Sequence, residues 1–138
     1  MQAKWLLKTE PEEYSWNDLV QEKKSVWDGV KAPAALKNIS RMKPNDLAFI
    51  YHTGRERAIV GIARVTGMPY QDPLETDHRR LVFELAAHEN LNRPVTLQQI
   101  KTSGLFPDWG LVRLPRLSVV PVSENQWVKV LEWAGEHP

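Results

Sequence analysis

Cysteine is absent from the 138 residues, which excludes disulfides, a cysteine nucleophile and thiolate-held zinc or iron–sulfur centres. No apolar run approaches the roughly 20 residues of a membrane-spanning helix, so no membrane partner is expected. The first eight residues hold three consecutive apolar side chains if Trp5 is counted, far short of a secretory signal, and a cytoplasmic location is the expectation. The chain has no G-x-S-x-G elbow, no P-loop and no G-x-G-x-x-G. Its histidines, His52, His78, His88 and His137, show neither H-x-H nor H-E-x-x-H spacing, so neither a metal nor another cofactor is expected. A charge excess is also missing. Eighteen Lys and Arg stand against 17 Asp and Glu, a net charge of +1, which excludes a polybasic coat but leaves room for a local basic patch.

What is present is an ordinary globular composition, 42% hydrophobic and 25% charged, in a length that suits one domain over residues 1–138. A chain of this size buries roughly 68–70% of its unfolded surface and needs no covalent staples. Six tryptophans stand beside ten prolines, and a buried indole N–H requires a partner.

Residues 4–9 read as a short strand, ended by Glu10-Pro11 because the residue before proline is pushed to extended geometry. Ser15 with Asp18 caps a helix over about 15–23, with Trp16, Leu19 and Val20 on one face. Residues 26–30 read as a strand or turn. A second helix starts at Pro33 and carries Ala35, Leu36, Ile39 and Met42 at helical spacing, until Pro44-Asn45-Asp46 breaks it. Residues 47–52 and 58–66 form an antiparallel hairpin, and Gly61 marks a bulge or a close backbone approach. Residues 69–73 read as a loop. Leu81, Phe83 and Leu85 alternate as in a half-buried strand. Thr96 with Gln99 and Ser123 with Gln126 are capping boxes; the second opens a helix through Trp127, Val130, Leu131 and Ala134. Residues 116–122 read as a terminal strand with Pro121 on an edge. The order β-α-β-α-β-β-β-α-β-α lacks regular βα alternation. It predicts an α+β fold: a small, curved, mixed or mainly antiparallel sheet, curled toward a barrel, with short flanking helices.

Ser118, His52 and an acid could converge as a triad, but a chain of this size offers such trios by chance. The aromatic and basic residues carry more information. Trp5, Tyr14, Trp16, Trp27, Tyr51 and Tyr70 are interleaved with lysines and arginines, and residues 31–43 hold four cations and no acid. Aromatic faces stack on unpaired bases while cations neutralise phosphate. Trp16 and Trp127 sit among aliphatics at helical spacing and are read as core. Trp27 precedes the turn-prone Asp28-Gly29, so core and rim are equally open to it. Lys8-Thr9-Glu10 delivers a cation, a hydroxyl and a carboxylate to one strand end, where a solvated strand end is the plainer reading.

Trp5-Leu-Leu-Lys-Thr-Glu-Pro11, Tyr14-Ser-Trp16, Trp27-Asp-Gly-Val30, Tyr51-His52, Val60-Gly-Ile62 and Arg116-Leu-Ser-Val119 with Pro121-Val122 together resemble the EVE domain family, in the family's order and across about residues 4–132. Its members include the thymocyte nuclear protein group and small bacterial relatives. The resemblance implies a PUA-like fold related to the YTH and SRA-type readers. It also implies binding, without catalysis, of a modified nucleobase in DNA or RNA, modified cytosine first. It would make Trp27 and Tyr51 aromatic walls with Tyr14 and Lys31 beside them, and set Lys8, Thr9 and Glu10 against base edges or phosphate. His52 and Thr53 would line the floor, Arg116 or Ser118 would close one side, and Lys37 and Arg41 would contact the backbone. The chain departs from the family after Val30, where Lys31-Ala32 replaces the usual Arg-Asn and a two-way hydrogen-bonding amide becomes a methyl. It departs again at Thr53, where the family usually has Ser, and at Gln71, within the family's usual Tyr-Pro-Asp. A small hydrolase acting on a nucleoside or related amide, and a protein-interaction domain with a vestigial pocket, are the alternative readings.

Overall fold

A computed structural model describes residues 2–136; His137 lies outside the described residues. Strand β1 (Lys4–Thr9) leads through helix α1 (Trp16–Glu22), strand β2 (Lys24–Trp27) and helix α2 (Pro33–Ile39) to strand β3 (Leu47–His52). Strands β4 (Ala58–Val65), β5 (Tyr70–Gln71) and β6 (Leu81–Thr96) follow, then helices α3 (Leu97–Ser103) and α4 (Gly110–Arg113), strand β7 (Val119–Pro121) and helix α5 (Glu124–Trp133). The sheet order is β2-β6-β4-β3-β1-β7, with β5 on β6. The pair β1/β3 is parallel and every other pair is antiparallel. This is the expected curved, mainly antiparallel α+β architecture, and its hydrogen-bonded path is open, with β2 and β7 at its ends.

Period-two alternation buries both faces of the sheet. Trp5 and Leu7 of β1 join Trp16, Leu19, Leu36 and Ile39 beneath α1 and α2. Leu6, between them, joins Phe49, Ile62, Trp109 and Trp127 beneath α4 and α5. Trp16 and Trp127 are core, as their spacing predicts. Three helices are capped from the sequence positions expected. Ser15 and Ser123 form complete boxes with Asp18 and Gln126, whereas Thr96 accepts from the Gln99 N–H without the reciprocal bond.

Several local expectations shift. Residues 69–73 contain the two-residue strand β5, drawn in by the free edge of β6 at Val82 and Leu81. Of residues 26–30, expected as a strand or turn, Val26 and Trp27 end the strand Lys24–Trp27, and the strand expected over 116–122 shrinks to Val119–Pro121, with Pro121 on the edge strand as expected. Helix α4 carries no sequence periodicity because four residues are too few to show one. Strand β6 runs on to Thr96 through two irregularities. In one of them residues 91–94, including Pro94 with no N–H to give, oppose Val60 alone. Such bulges bend a strand and increase its twist.

Asp46, 2% exposed, is a buried carboxylate with three N–H donors. Its Oδ1 accepts from the Ala3 amide at 3.1 Å, and its Oδ2 accepts from the Trp5 indole and the Lys43 amide, each at 3.0 Å. Gly61 makes the close approach its position predicts: a Cβ there would overlap the Trp16 indole. That ring cannot retreat freely, because its Nε1 donates to Asn90 at 2.6 Å and the Trp16 amide donates to His52 at 2.9 Å.

Both anchors can be tested by substitution. Asp46→Ala strands three donors and should cost about 3–5 kcal/mol in urea unfolding, with Asp46→Asn costing less because one oxygen remains. Gly61→Ala should cost about 1–3 kcal/mol by overpacking; wild-type stability would mean that the indole has room to move.

Candidate functional site

Parallel pairing sets the ends of β1 and β3, Thr9 and His52, side by side. The crossover between them returns β2 to the far edge of the sheet. A cavity of about 550 Å³ opens between the end of β1 and the end of β2, within the size range of ligand sites. Trp27, 8% exposed, belongs both to the core and to the cavity wall. Tyr14 meets it edge to face, centroids 6.2 Å apart and planes at 80°. The indole N–H groups of Trp5, Trp16 and Trp109 donate within the protein. Those of Trp27, Trp127 and Trp133 have no acceptor among the described residues, and of these three only Trp27 lines the cavity.

The wall is built locally. The Thr9 hydroxyl donates to the Tyr14 carbonyl at 2.7 Å, and the Tyr14 and Glu13 amides donate to the Glu10 carbonyl, closing a turn that sets Glu10, Glu13 and Tyr14 at the mouth. The Tyr14 hydroxyl donates to the Glu22 carboxylate; burial, and then that carboxylate, push the phenol pKa up. Lys8 is half-buried, donates to the Pro115 carbonyl at 2.9 Å, and has its pKa pushed down by burial. The Lys8 amide holds the Ser118 carbonyl at 3.0 Å, which brings Ser118 to the cavity. After Trp27 the chain turns through Gly29 at φ +78°, carrying Asp28 and Lys31 onto the rim. The lining thus holds three carboxylates, Glu10, Glu13 and Asp28, against two ammonium groups, Lys8 and Lys31.

Seven of the expected residues therefore converge: Lys8, Thr9, Glu10, Tyr14, Trp27, Lys31 and Ser118. Tyr51 does not. It faces the opposite core, 3% exposed, with the Lys8 ammonium 5.9 Å from its ring centre and its pKa raised by burial. Alternation along β3 puts Tyr51 and His52 on different faces. His52 is not a floor residue either: its Nε2 accepts from the Trp16 amide, and its Nδ1 lies 2.7 Å from Glu56. Both ring nitrogens are committed, so no triad with Ser118 assembles. Thr53 braces the strand end, its amide donating to the Thr9 carbonyl at 2.9 Å. Arg116 is exposed and lies off the cavity.

Lys37 lines a neighbouring cleft of about 360 Å³, and Arg41 lines neither. Lys31 belongs to both cavities; the cleft adds Arg79 and Arg80, so four cations face one carboxylate, Asp77. The Arg79 guanidinium clamps Asp77 through two hydrogen bonds at 3.1 and 3.0 Å and holds its pKa down to about 2. Sequence reasoning missed Glu13, Ser25, Val26, Asp28, Gly29 and Val30 in the cavity. Ser25 was within reach of the period-two rule, since it shares a face with Trp27 once β2 is placed at Lys24–Trp27. Among the described residues no three His, Asp or Glu side chains gather as a metal site.

The model of the EVE domain matches residues 3–133. The chain belongs to the EVE domain family. It is similar to Rpa0253 from Rhodopseudomonas palustris, solved by NMR, at 34% identity and a TM-score of 0.92, covering 98% of this chain and 96% of that one. Thymocyte nuclear protein 1 from Gallus gallus is 26% identical over 97% of this chain and 69% of its own length. The human THYN1 protein, solved in complex with 5-methylcytosine-containing DNA, shares the fold at 23% identity and a TM-score of 0.88, covering 99% of this chain and 100% of that one.

In this EVE domain the departure at Ala32 falls on a helix end. Ala32 is the N-cap of α2, in extended geometry and with no side-chain cap, and it does not line the cavity. Restoring the amide with Ala32→Asn should cap the exposed N–H groups and raise stability by about 0.5–2 kcal/mol in thermal or urea unfolding.

Proposed function

We propose that this domain binds DNA carrying a modified base, read without catalysis, with modified cytosine as the leading ligand. The observation that carries the reading is the cavity itself: a Trp27–Tyr14 aromatic corner ringed by carboxylates, hydroxyls and a half-buried ammonium. Family membership, and a fold shared with a protein solved on 5-methylcytosine DNA, support it.

An extruded base is planar, uncharged and apolar on its faces, and it exposes donors and acceptors on its edge. Cytosine presents an N4 amino donor beside ring acceptors. Glu10, Glu13 or Asp28 would accept from the amino group, while Lys8, Ser118 and the free Trp27 N–H would serve the acceptors. A methyl group on the ring adds apolar burial of about 1 kcal/mol, roughly five-fold in affinity. A rim with more carboxylates than cations repels phosphate, so the backbone must run outside the cavity. The adjoining cleft of Lys31, Lys37, Arg79 and Arg80 would take it there.

Trp27→Ala is a poor test, because removing a core indole costs about 3–5 kcal/mol of stability. Trp27→Phe keeps an apolar ring. Fluorescence anisotropy with matched oligonucleotides should show wild-type preference for 5-methylcytosine over cytosine, and about tenfold weaker binding of both in folded Trp27→Phe, within the stacking range of 1–3 kcal/mol. Equal affinity for modified and unmodified DNA in the wild type would overturn the reader assignment.

A further inference from the structure

We propose that a second basic cleft, on the Thr9 side of the cavity, seats the phosphodiester backbone of the bound DNA beside the read base. The proposal rests on the nucleic-acid reading above and adds a surface that the aromatic cavity does not include.

The cleft, about 790 Å³, lies between the β3–β4 turn and the start of α3. Pairing of Ala58 with Thr96 brings the two together, and the Leu97 amide donates to the Arg57 carbonyl at 2.8 Å. Three cations line it, Arg55, Arg57 and Lys101, against one carboxylate, Glu56. That carboxylate is already engaged by His52 Nδ1 at 2.7 Å. Among the described residues no acid lies within ion-pair distance of Arg55, Arg57 or Lys101. Arg57 alone uses part of its guanidinium internally, its Nε donating to the Gly54 carbonyl at 3.1 Å.

Cations that share a cleft without ion-pair partners repel one another, so their charges do not stabilise the fold by pairing. The frame that carries them is nevertheless tied down, by Thr53 to Thr9, by Glu56 to His52 and by Arg57 to Leu97. A rigid, counterion-poor cationic surface suits a polyanion. It also neighbours the cavity: Thr9 lines the cavity, its carbonyl holds the Thr53 amide, and the next residue, Gly54, lines the cleft. A nucleotide within a strand carries phosphate on both sides. The Lys31–Arg79 cleft offers cations on one side, and the Arg55–Lys101 cleft offers them by the Thr9 edge.

The test is the salt dependence of binding by the whole domain to a short duplex with or without 5-methylcytosine. The comparison is wild type against the Arg55→Gln, Lys101→Gln double variant, since neither side chain makes a hydrogen bond within the described residues. The slope of log affinity against log salt should shrink by about 1.8 once two duplex phosphates are no longer neutralised, with the melting temperature and the methylated-to-unmethylated ratio unchanged. An unchanged slope overturns the proposal while leaving the reader assignment intact. Wild-type binding that ignores methylation but loses slope in the variant overturns the reader assignment and upholds this cleft. Absence of wild-type binding at low salt overturns both.

Discussion

The buried carboxylate of Asp46 sets the geometry from which the rest follows. It gathers the amides of Ala3 and Lys43 and the indole of Trp5 at the point where β1 and β3 begin, and so fixes two strands that run parallel from Lys4↔Leu47 to Thr9↔His52. Parallel neighbours cannot be joined by a tight turn; they need a crossover. Here the crossover is α1, β2 and α2, and it carries Tyr14, Trp27 and Lys31 back to the end of β1. The cavity exists because this one pair is parallel in an otherwise antiparallel sheet.

Tryptophan is used in two ways. Trp5, Trp16 and Trp109 bury their rings and satisfy their N–H groups on Asp46, Asn90 and the Pro121 carbonyl, and Trp127 stacks on Phe49 at 3.9 Å. These rings lock the two cores on either side of the sheet. Trp27 packs as tightly but also lines the cavity, so one ring is both structural wall and ligand surface.

Net charge hides the electrostatic layout. A chain balanced to +1 sorts its charges into a cavity with more acid than base and two adjoining clefts in which cations outnumber acids. A neutral, edge-rich base and a polyanionic backbone have opposite requirements, and the molecule separates them spatially.

Local physics was legible in the sequence: the capped helices at Ser15 and Ser123, the hairpin of β3 and β4, the glycine under Trp16, the edge proline, and the motif string that resembles the EVE family. Each depends on neighbours within a few residues or on a pattern along the chain. Part of the site could be read the same way, because Thr9, Glu10 and Tyr14 are held by one turn. Tyr51 could not, since alternation says that successive residues face opposite ways without saying which face has the cavity. Nor could Asp46, which reads as a helix breaker until three distant or turn-folded N–H groups close on it. The basic clefts belong to tertiary structure alone: Arg57 meets Lys101, and Lys31 meets Arg79, only after strand pairing brings their segments together.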